Sequence, residues 1–328
     1  MSDNGGVENL SGYHHLTMVC SDARENVRFY RDVLGLRLVK KTVNFDMPET
    51  YHLYYGDYNG SPGTLLTFFE WPNARPGNPG WGGAHHIALS VASGPVLAYW
   101  RGRLERSDVE VEGPFLDHGF PAIRFRDPDG LIVELCAPLG EDVPDGAPDL
   151  FVPAMAIGAA QHAAIHVTNR ENAILYYRDL LGFGLLEESL NHDDPSLTDL
   201  AFLLDSAPGS DSVMRLHATL TTPDATPRAR DGAGQTHHLA FGVPDDATEL
   251  AWRERIGSAA VPISDVRDRS YFHSIYFNDP DGCLLEIATA NPGFATDEPL
   301  ETLGQRLSLP SWLEERREQL ERRLAPID

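Results

Sequence analysis

Short apolar runs with the character of β-strands begin at a histidine in two places that are 147 residues apart. One run covers His15–Val19 and the other covers His162–Val167. A segment predicted as a helix follows each run and ends at Gly35 or at Gly182, and glycine there is typical of a helix C-terminal cap. The same offset relates the helix-end segments Arg28–Leu36 and Leu175–Phe183. The chain therefore repeats a unit of strand followed by helix.

A second pair of similar segments repeats at an offset of 152 residues. His85–Leu89 matches His237–Phe241, and the sequence Asp-Pro-Asp-Gly occurs at Asp127–Gly130 and again at Asp279–Gly282. Both tetrapeptides are predicted turns, because proline sets φ and glycine accepts a positive φ. A strand-like apolar segment follows each turn.

A glutamate lies four residues past the glycine of each turn, and it is 48 residues from a histidine in both copies. His86 precedes Glu134 by this distance, and His238 precedes Glu286 by the same distance. Matching turns, strands and spacings predict four modules, each of which contains a strand, a helix and then several strands. The predicted modules cover roughly 12–70, 84–138, 160–218 and 235–290.

These modules predict an α+β protein with two halves. We expect an N-terminal domain of two modules at 8–140, a linker at 141–156, a C-terminal domain of two modules at 157–298 and a helical tail at 299–328. Proline, glycine and aspartate dominate the linker region. In the tail, Ser311–Leu324 has apolar residues at roughly helical spacing, which predicts a helix that packs on the body or on a partner. These residues are Trp312, Leu313, Leu320 and Leu324.

Composition narrows the classes of protein to which the chain can belong. Its 328 residues are 42% hydrophobic, as in globular proteins. A net charge of −23 argues against nucleic-acid binding, which needs clustered Lys and Arg. No apolar run reaches the roughly 20 residues of a membrane helix, and the polar start of the chain argues against a secretory signal. The three widely spaced cysteines suit a reduced compartment. We therefore expect a cytoplasmic protein, and a homo-oligomer is left open.

The repeated histidines and glutamates suggest a metal site. A histidine at the start of one strand and a glutamate within another converge if their modules pack edge to edge. Two histidines and one carboxylate on one face of a metal leave positions open for substrate and O₂, a set that suits non-haem Fe(II) and also Mn(II). In one arrangement, module 1 pairs with module 4 and module 2 pairs with module 3. This arrangement would bring His15, His238 and Glu286 together at one site and His86, His162 and Glu134 together at another. In the other arrangement, module 1 pairs with module 2 and module 3 pairs with module 4. The two sites would then be His15, His86 and Glu134, and His162, His238 and Glu286. The spacing is compatible with both.

Several longer stretches resemble a known family. They are Tyr13–Thr17, Tyr51–Tyr55, Gly60–Thr64, Thr236–Phe241, Arg269–Phe277, Glu286–Thr289 and Asn291–Glu298. Together they resemble the vicinal oxygen chelate superfamily, which builds metal sites from paired βαβββ modules. Within it, they are most similar to the ring-cleaving dioxygenases that act on hydroquinones. The resemblance extends from about Gly12 to Pro299.

The resemblance implies two domains of paired modules and one metal site shared between modules 1 and 4. The implied ligands are His15, His238 and Glu286. The residues implied around substrate and oxygen are His14, Thr17, His237, Arg269 and Tyr276. Arg269 would give a quinol anion a fixed positive partner. His237 or Tyr276 would move protons as the substrate binds and the ring opens.

The pairing of modules 1 and 4 is favoured because the polar residues that would handle substrate occur in module 4 alone. In module 2, at the offset of 152, Asp117 replaces Arg269 and Arg124 replaces Tyr276. The set His86, His162 and Glu134 is therefore interpreted as a second metal site or as an inactive copy.

The leading hypothesis is an Fe(II)-dependent, extradiol-type ring-cleaving dioxygenase that inserts both atoms of O₂ into a hydroquinone or catechol. Its partners would be a small aromatic substrate and O₂, and Mn(II) is an alternative metal. Tyr51, Phe68 and Phe272 are expected to shape an apolar pocket. One alternative is a glyoxalase-like isomerase or thiol transferase, which would tend to use a fourth protein ligand. Another is a non-catalytic protein that binds an aromatic ligand.

Overall fold

The computed structural model describes residues 6–144, 156–204 and 214–327. Most of the predicted linker, 141–156, lies outside the described residues. The strands are β1 (Tyr13–Cys20), β2 (Arg37–Asn44), β3 (Met47–Gly56), β4 (Leu65–Glu70), β5 (Ala84–Ser90), β6 (Val111–Asp117), β7 (Phe120–Arg126), β8 (Ile132–Cys136), β9 (Ala160–Val167), β10 (Gly184–Leu190), β11 (Thr198–Leu204), β12 (Met214–Leu220), β13 (Thr236–Val243), β14 (Arg267–Asp268), β15 (Phe272–Asn278) and β16 (Leu284–Pro292).

The strands form two eight-stranded sheets, and each sheet joins one module from either half of the chain. The first has the order β14-β15-β16-β13-β1-β4-β3-β2, which unites modules 4 and 1. The second has the order β10-β11-β12-β9-β5-β8-β7-β6, which unites modules 3 and 2. The favoured module pairing and the α+β class are confirmed. The division at 8–140, 141–156, 157–298 and 299–328 stays a prediction about the chain.

The two modules of each sheet meet at antiparallel strands. β1 pairs with β13, so that His15 lies opposite Ala240 and Thr17 lies opposite His238. The next strand outward from β1 is β4, and the next strand outward from β13 is β16; both of these pairs are parallel. In the second sheet β5 and β9 meet in the same way. The histidines that start these strands are therefore brought to the seam between modules.

The helices of the modules lie where the repeat predicts them. They are α1 (Ala23–Val27), continued by a wider π-helical segment at Arg28–Val33; α2 (Gly94–Arg106); α3 (Arg170–Ala173), continued by a π-helical segment at Ile174–Leu180; α4 (Asp246–Ser258); and α5 (Arg317–Arg323). The Asp22 carboxylate caps α1 by accepting from two backbone N–H groups. Gly35 and Gly182 follow the first and third helical segments with φ of 70° and 80°, which confirms them as C-terminal caps.

Modules from the same half contact each other through these helices rather than through a sheet. The Tyr30 hydroxyl donates to Asp127 Oδ2 at 3.0 Å, which ties the π-helical segment that continues α1 to the Asp-Pro-Asp-Gly turn of module 2. Tyr177 and Asp279 repeat this bond at 2.8 Å in the second half. One large cluster of buried apolar side chains runs through both sheets and these helices. The helices therefore hold the two sheets together.

The tail packs on the body, as its spacing predicts. A 3₁₀ segment at Ser311–Arg316 leads into α5. Leu313, Leu320 and Leu324 are buried, whereas Trp312 is 54% exposed with its ring 5.6 Å from that of Phe45. In the described part of the chain, no helix has the length and apolar character that crossing a membrane requires.

Candidate metal centre

Three side chains from modules 1 and 4 converge at the seam of the first sheet. His15 Nε2 lies 3.2 Å from His238 Nε2 and 3.5 Å from Glu286 Oε2, and His238 Nε2 lies 2.8 Å from the same oxygen. All three side chains are buried. Metal–ligand bonds of about 2.1 Å would place adjacent ligands of an octahedral ion about 3 Å apart. The three atoms therefore form a triangle of the size that a divalent metal needs.

The electrostatics of these residues also fit a metal. Burial alone would raise the pKa of Glu286, but attraction to His15 and His238 outweighs it and holds this pKa well below its usual range. Burial lowers the pKa of His238. Neither Glu286 oxygen has an aligned hydrogen-bond donor, despite the short approach of His238. A buried carboxylate left in this state is unfavourable, and a cation bound by all three groups would satisfy it.

Two β-bulges aim the histidines at the centre. Between the paired positions of β1 and β13, His14 is an extra residue on β1 and His237 is an extra residue on β13. A bulge bends its strand and redirects neighbouring side chains. The sequence alone predicts that His14 and His15 point to opposite faces. The bulges instead let each pair of adjacent histidines contact each other.

His14 and His237 lie behind the ligand histidines. His14 Nδ1 is 2.9 Å from His15 Nδ1, and His14 Nε2 is 3.1 Å from the Thr289 carbonyl oxygen. Because the carbonyl only accepts, His14 carries its proton on Nε2 and accepts from His15 Nδ1–H. This leaves the lone pair of His15 Nε2 directed at the centre. His237 Nδ1 lies 2.8 Å from His238 Nδ1. Burial lowers the pKa of both His14 and His237 to about 3, so both are neutral.

A small cavity, of about 20 Å³, opens beside the three ligands. Arg269 and Tyr276 line it, and Arg269 Nε donates to the Tyr276 hydroxyl at 3.0 Å. Ser274 Oγ donates to the same hydroxyl at 3.0 Å. Burial, reinforced by the nearby Glu286 carboxylate, raises the pKa of Tyr276. A neutral phenol and a guanidinium therefore face the cavity together.

The structure corrects the expected pocket aromatics. Phe272 lines the cavity, but Tyr51 and Phe68 do not. The Tyr51 hydroxyl donates to Ala325 O at 2.9 Å, and the Phe68 ring packs 4.4 Å from that of Tyr30. Successive residues of a strand point to opposite faces, and both of these belong to the core face. Their neighbours His52 and Phe69 line the cavity instead.

His52 is a cavity residue that the sequence reasoning did not select. Its Nδ1 atom lies 2.9 Å from the Tyr54 hydroxyl, and its Nε2 atom lies 3.0 Å from Thr67 Oγ1. Thr67 Oγ1 is in turn 2.8 Å from Thr17 Oγ1. Burial, together with repulsion from His15 and His238, lowers the pKa of His52. The alternation Tyr51-His52-Leu53-Tyr54-Tyr55 was a usable signal, because it places His52 and Tyr54 on one face.

A second cluster lies at the matching seam of modules 2 and 3. His86, His162 and Glu134 come together there, as the favoured module pairing requires, and Asp117 joins them. Arg124 binds Glu134 Oε1, with its nitrogens at 2.6 Å and 2.7 Å. Burial raises the pKa of Glu134 to about 8; Asp117 adds to the rise and Arg124 opposes it.

Sequence comparison places this chain in a known family. The family model of the Glyoxalase/Bleomycin resistance protein/Dioxygenase superfamily matches residues 12–135 and 159–287. The chain belongs to this superfamily.

Relatives within the superfamily carry more specific names. The chain is 38% identical over 310 residues to MhqE of Bacillus subtilis, named as a candidate ring-cleaving dioxygenase; the match covers 94% of this chain and 96% of the relative. It is 31% identical over 316 residues, or 94% of each chain, to a chlorohydroquinone/hydroquinone 1,2-dioxygenase of Sphingobium indicum.

Solved structures agree with the fold. A crystal structure of a candidate dioxygenase from Bacillus subtilis has a TM-score of 0.85 and 35% identity, and the match covers 98% of both chains. Glyoxalase I from Zea mays, at 16% identity, has a TM-score of 0.61 and covers 85% of this chain and 92% of its own. The latter likeness shows the shared fold alone.

Proposed function

We propose that this chain is a ring-cleaving dioxygenase that opens a hydroquinone-type or catechol-type aromatic with O₂ at a non-haem Fe(II) centre. His15, His238 and Glu286 would hold the metal. The observation that carries the proposal is this buried triad beside a cavity lined by Arg269 and Tyr276. The names of the relatives that match nearly the whole chain support the same reaction class.

The number of protein ligands favours a dioxygenase over a glyoxalase-like isomerase. Among the described residues, the group at this centre contains three candidate ligands. A bound Fe(II) would keep positions open for both substrate and O₂, would lower the pKa of a coordinated phenol and would supply the electrons that activate O₂. Mn(II) fits the same donors. Both oxygen atoms enter the opened ring, so that no external reductant is consumed.

Arg269 and Tyr276 would orient the substrate. The guanidinium offers a fixed positive charge to a quinol anion. The Tyr276 hydroxyl already accepts hydrogen bonds from Arg269 and Ser274, so its own proton is left to donate to a substrate oxygen. The raised pKa keeps this proton in place at neutral pH. Together they would fix which ring carbon lies next to the metal.

The remaining cavity residues would select an aromatic ring and orient its hydroxyl groups. Phe69 and Phe272 give the cavity apolar walls. His52 faces the same space with its ring nitrogens bonded to the Tyr54 hydroxyl and to Thr67 Oγ1, so it would add a polar wall that orients a substrate hydroxyl. The space left between these side chains is about 20 Å³, so an aromatic ring would have to push them apart to enter.

Oxygen uptake by anaerobically Fe(II)-loaded protein with a panel of hydroquinones and catechols tests the proposal. We expect one O₂ consumed per substrate and a ring-opened product that contains both oxygen atoms when ¹⁸O₂ is used. The Glu286→Ala variant should lose bound iron and uptake together. No uptake by loaded wild-type protein with any member of the panel would refute the reaction. Full metal content in the variant would refute the ligand assignment.

A further inference from the structure

We propose that the second cluster, at the seam of modules 2 and 3, is a metal site of a different kind that holds a Zn(II)-class divalent ion with four protein ligands. The ligands are His86 Nε2, His162 Nε2, Asp117 Oδ2 and Glu134 Oε2. Module 2 contributes His86, Asp117 and Glu134, and module 3 contributes His162. The site therefore joins the two modules of the second sheet.

The donor atoms have the spacing of a four-coordinate site. His86 Nε2 lies 3.0 Å from His162 Nε2, and His162 Nε2 lies 3.5 Å from Asp117 Oδ2 and 3.8 Å from Glu134 Oε2. Bonds of about 2.1 Å to a tetrahedral ion place ligands about 3.4 Å apart. All four side chains are buried. Structural zinc sites are closed in this way, whereas the first centre leaves positions open.

An unpartnered buried carboxylate oxygen points to a missing cation. Asp117 Oδ2 has no hydrogen-bond partner, although the Asp117 side chain is only 7% exposed. Arg124 occupies Glu134 Oε1, which is also 3.6 Å from His86 Nε2, and it binds Asp193 at 2.8 Å. Glu134 Oε2 accepts a long 4.0 Å bond from Cys136 Sγ and lies 3.8 Å from His162 Nε2. The guanidinium of Arg124 is thus shared by the buried Glu134 and the exposed Asp193. A divalent ion would satisfy the Asp117 oxygen.

The histidines are oriented for this role as in the first centre. His85 and Gln161 are the extra residues of two bulges between β5 and β9, in the positions that match His237 and His14. His85 Nδ1 lies 2.9 Å from His86 Nδ1, and the Gln161 amide oxygen accepts from His162 Nδ1. With its proton on Nδ1, His162 directs the lone pair of Nε2 at the cluster.

Two replacements explain why this site would not repeat the chemistry of the first. Asp117 stands where module 4 has Arg269, and it adds a ligand in place of a cation for substrate. Arg124 stands where module 4 has Tyr276, and its guanidinium is bound to the Glu134 carboxylate. The added ligand closes the coordination shell. The ion would then stabilise the second sheet without reacting.

Metal stoichiometry after reconstitution with Zn(II) tests the proposal independently of ring cleavage. Metal-free protein is loaded, dialysed and analysed by mass spectrometry for zinc. We expect two equivalents in the wild type and one in His238→Gln, where the first centre is disabled. The His238→Gln, Asp117→Asn, His162→Gln triple variant should bind essentially none. No zinc in His238→Gln protein that unfolds cooperatively would overturn the proposal.

Further variants test the four-ligand assignment. Asp117→Asn in the His238→Gln background should weaken binding by more than the 10- to 100-fold that loss of an outer partner typically causes. His118→Gln is the matched control, because His118 neighbours Asp117 but lies outside the proposed shell; zinc loss in this variant would refute the assignment.

Co(II) in His238→Gln should give the intense visible absorption of a tetrahedral ion, and a weak octahedral spectrum would contradict the geometry. If the triple variant does not fold, Zn(II) should still raise the melting temperature of His238→Gln.

Discussion

His14 Nδ1 lies 2.9 Å from His15 Nδ1, and this bond sets which nitrogen of His15 faces the metal centre. The Thr289 carbonyl oxygen, 3.1 Å from His14 Nε2, holds the acceptor ring in its tautomer. Gln161 performs the same task for His162 in the second sheet, at the position that matches His14. An amide oxygen can thus replace the accepting imidazole nitrogen.

This equivalence predicts different outcomes for two substitutions of His14. His14→Phe removes the acceptor, and we expect metal affinity at the first centre to fall about 10- to 100-fold. His14→Gln should keep most of the affinity, because its Oε1 accepts from His15 Nδ1. Titration of metal-free protein with Mn(II) measures both. Equal losses in the two variants would show that His14 acts through packing.

Tyr276→Phe tests the proton donor in the cavity. The ring keeps its position, but Arg269 Nε and Ser274 Oγ lose their acceptor and a substrate oxygen loses its donor. We expect kcat to fall about 10²- to 10⁴-fold while metal content is unchanged, since general-acid groups contribute on this scale. Ser274→Ala is the control and should cost far less. Unchanged kcat in Tyr276→Phe would exclude the proposed role.

The buried turn carboxyl of Asp127 predicts a pH-dependent stability. Burial raises its pKa from 3.8 to about 7, so between these values the folded protein binds a proton that the unfolded chain has released. The associated stabilisation is full below pH 3.8 and is lost as the pH rises through about 7. Asp127→Asn keeps the Oδ1 that accepts from the backbone N–H groups of Asp129 and Leu131, and it does not ionise. Its NH₂ group replaces Oδ2, so it donates to the Tyr30 hydroxyl instead of accepting from it.

Urea unfolding should therefore show Asp127→Asn to be more stable than the wild type at pH 8, by about 1–3 kcal/mol, with no such gain near pH 4. Asp279→Asn is the matched variant in the second half. The pKa of Asp279, raised by burial, is about 6, so its gain should be smaller. A loss of stability at pH 8 in both variants would contradict the prediction.

Lys40 is a fully buried cation that ties β2 to the segment after β16. Its Nζ atom lies 2.6 Å from Asp297 Oδ1 and 2.5 Å from Glu298 Oε2, over the ring of Tyr271. Lys40→Met removes the buried cation beside the Glu298 carboxylate, to which Ser308 Oγ still donates at 2.9 Å, and we expect a loss of about 3–5 kcal/mol in the free energy of unfolding. Adding Glu298→Gln should recover part of that loss. An unchanged free energy of unfolding in Lys40→Met would show that the ion pair between Lys40 and Glu298 contributes little.

Much of the first centre could be predicted from the sequence because its information is local or periodic. The offsets of 147 and 152 residues and the shared spacing of 48 residues identify the modules and their candidate ligands. Strand periodicity could also have identified His52 and Tyr54, because alternation places them opposite Tyr51 and Leu53. The choice of Tyr51 and Phe68 failed because the sequence alone does not indicate which face of a strand is buried against the helices.

What only the tertiary structure decided is how distant segments meet. The same ligand spacing allows two module pairings, and the edge-to-edge contact of β1 with β13 selects one of them. The bulges at His14 and His237 depend on the register between two strands, which no single strand encodes. In the sequence, Asp117 is only the residue of module 2 that matches Arg269 of module 4. It becomes a candidate ligand because the fold brings it close to His162. The sequence by itself therefore determines the modules and their donors, whereas packing between modules determines which donors share a centre.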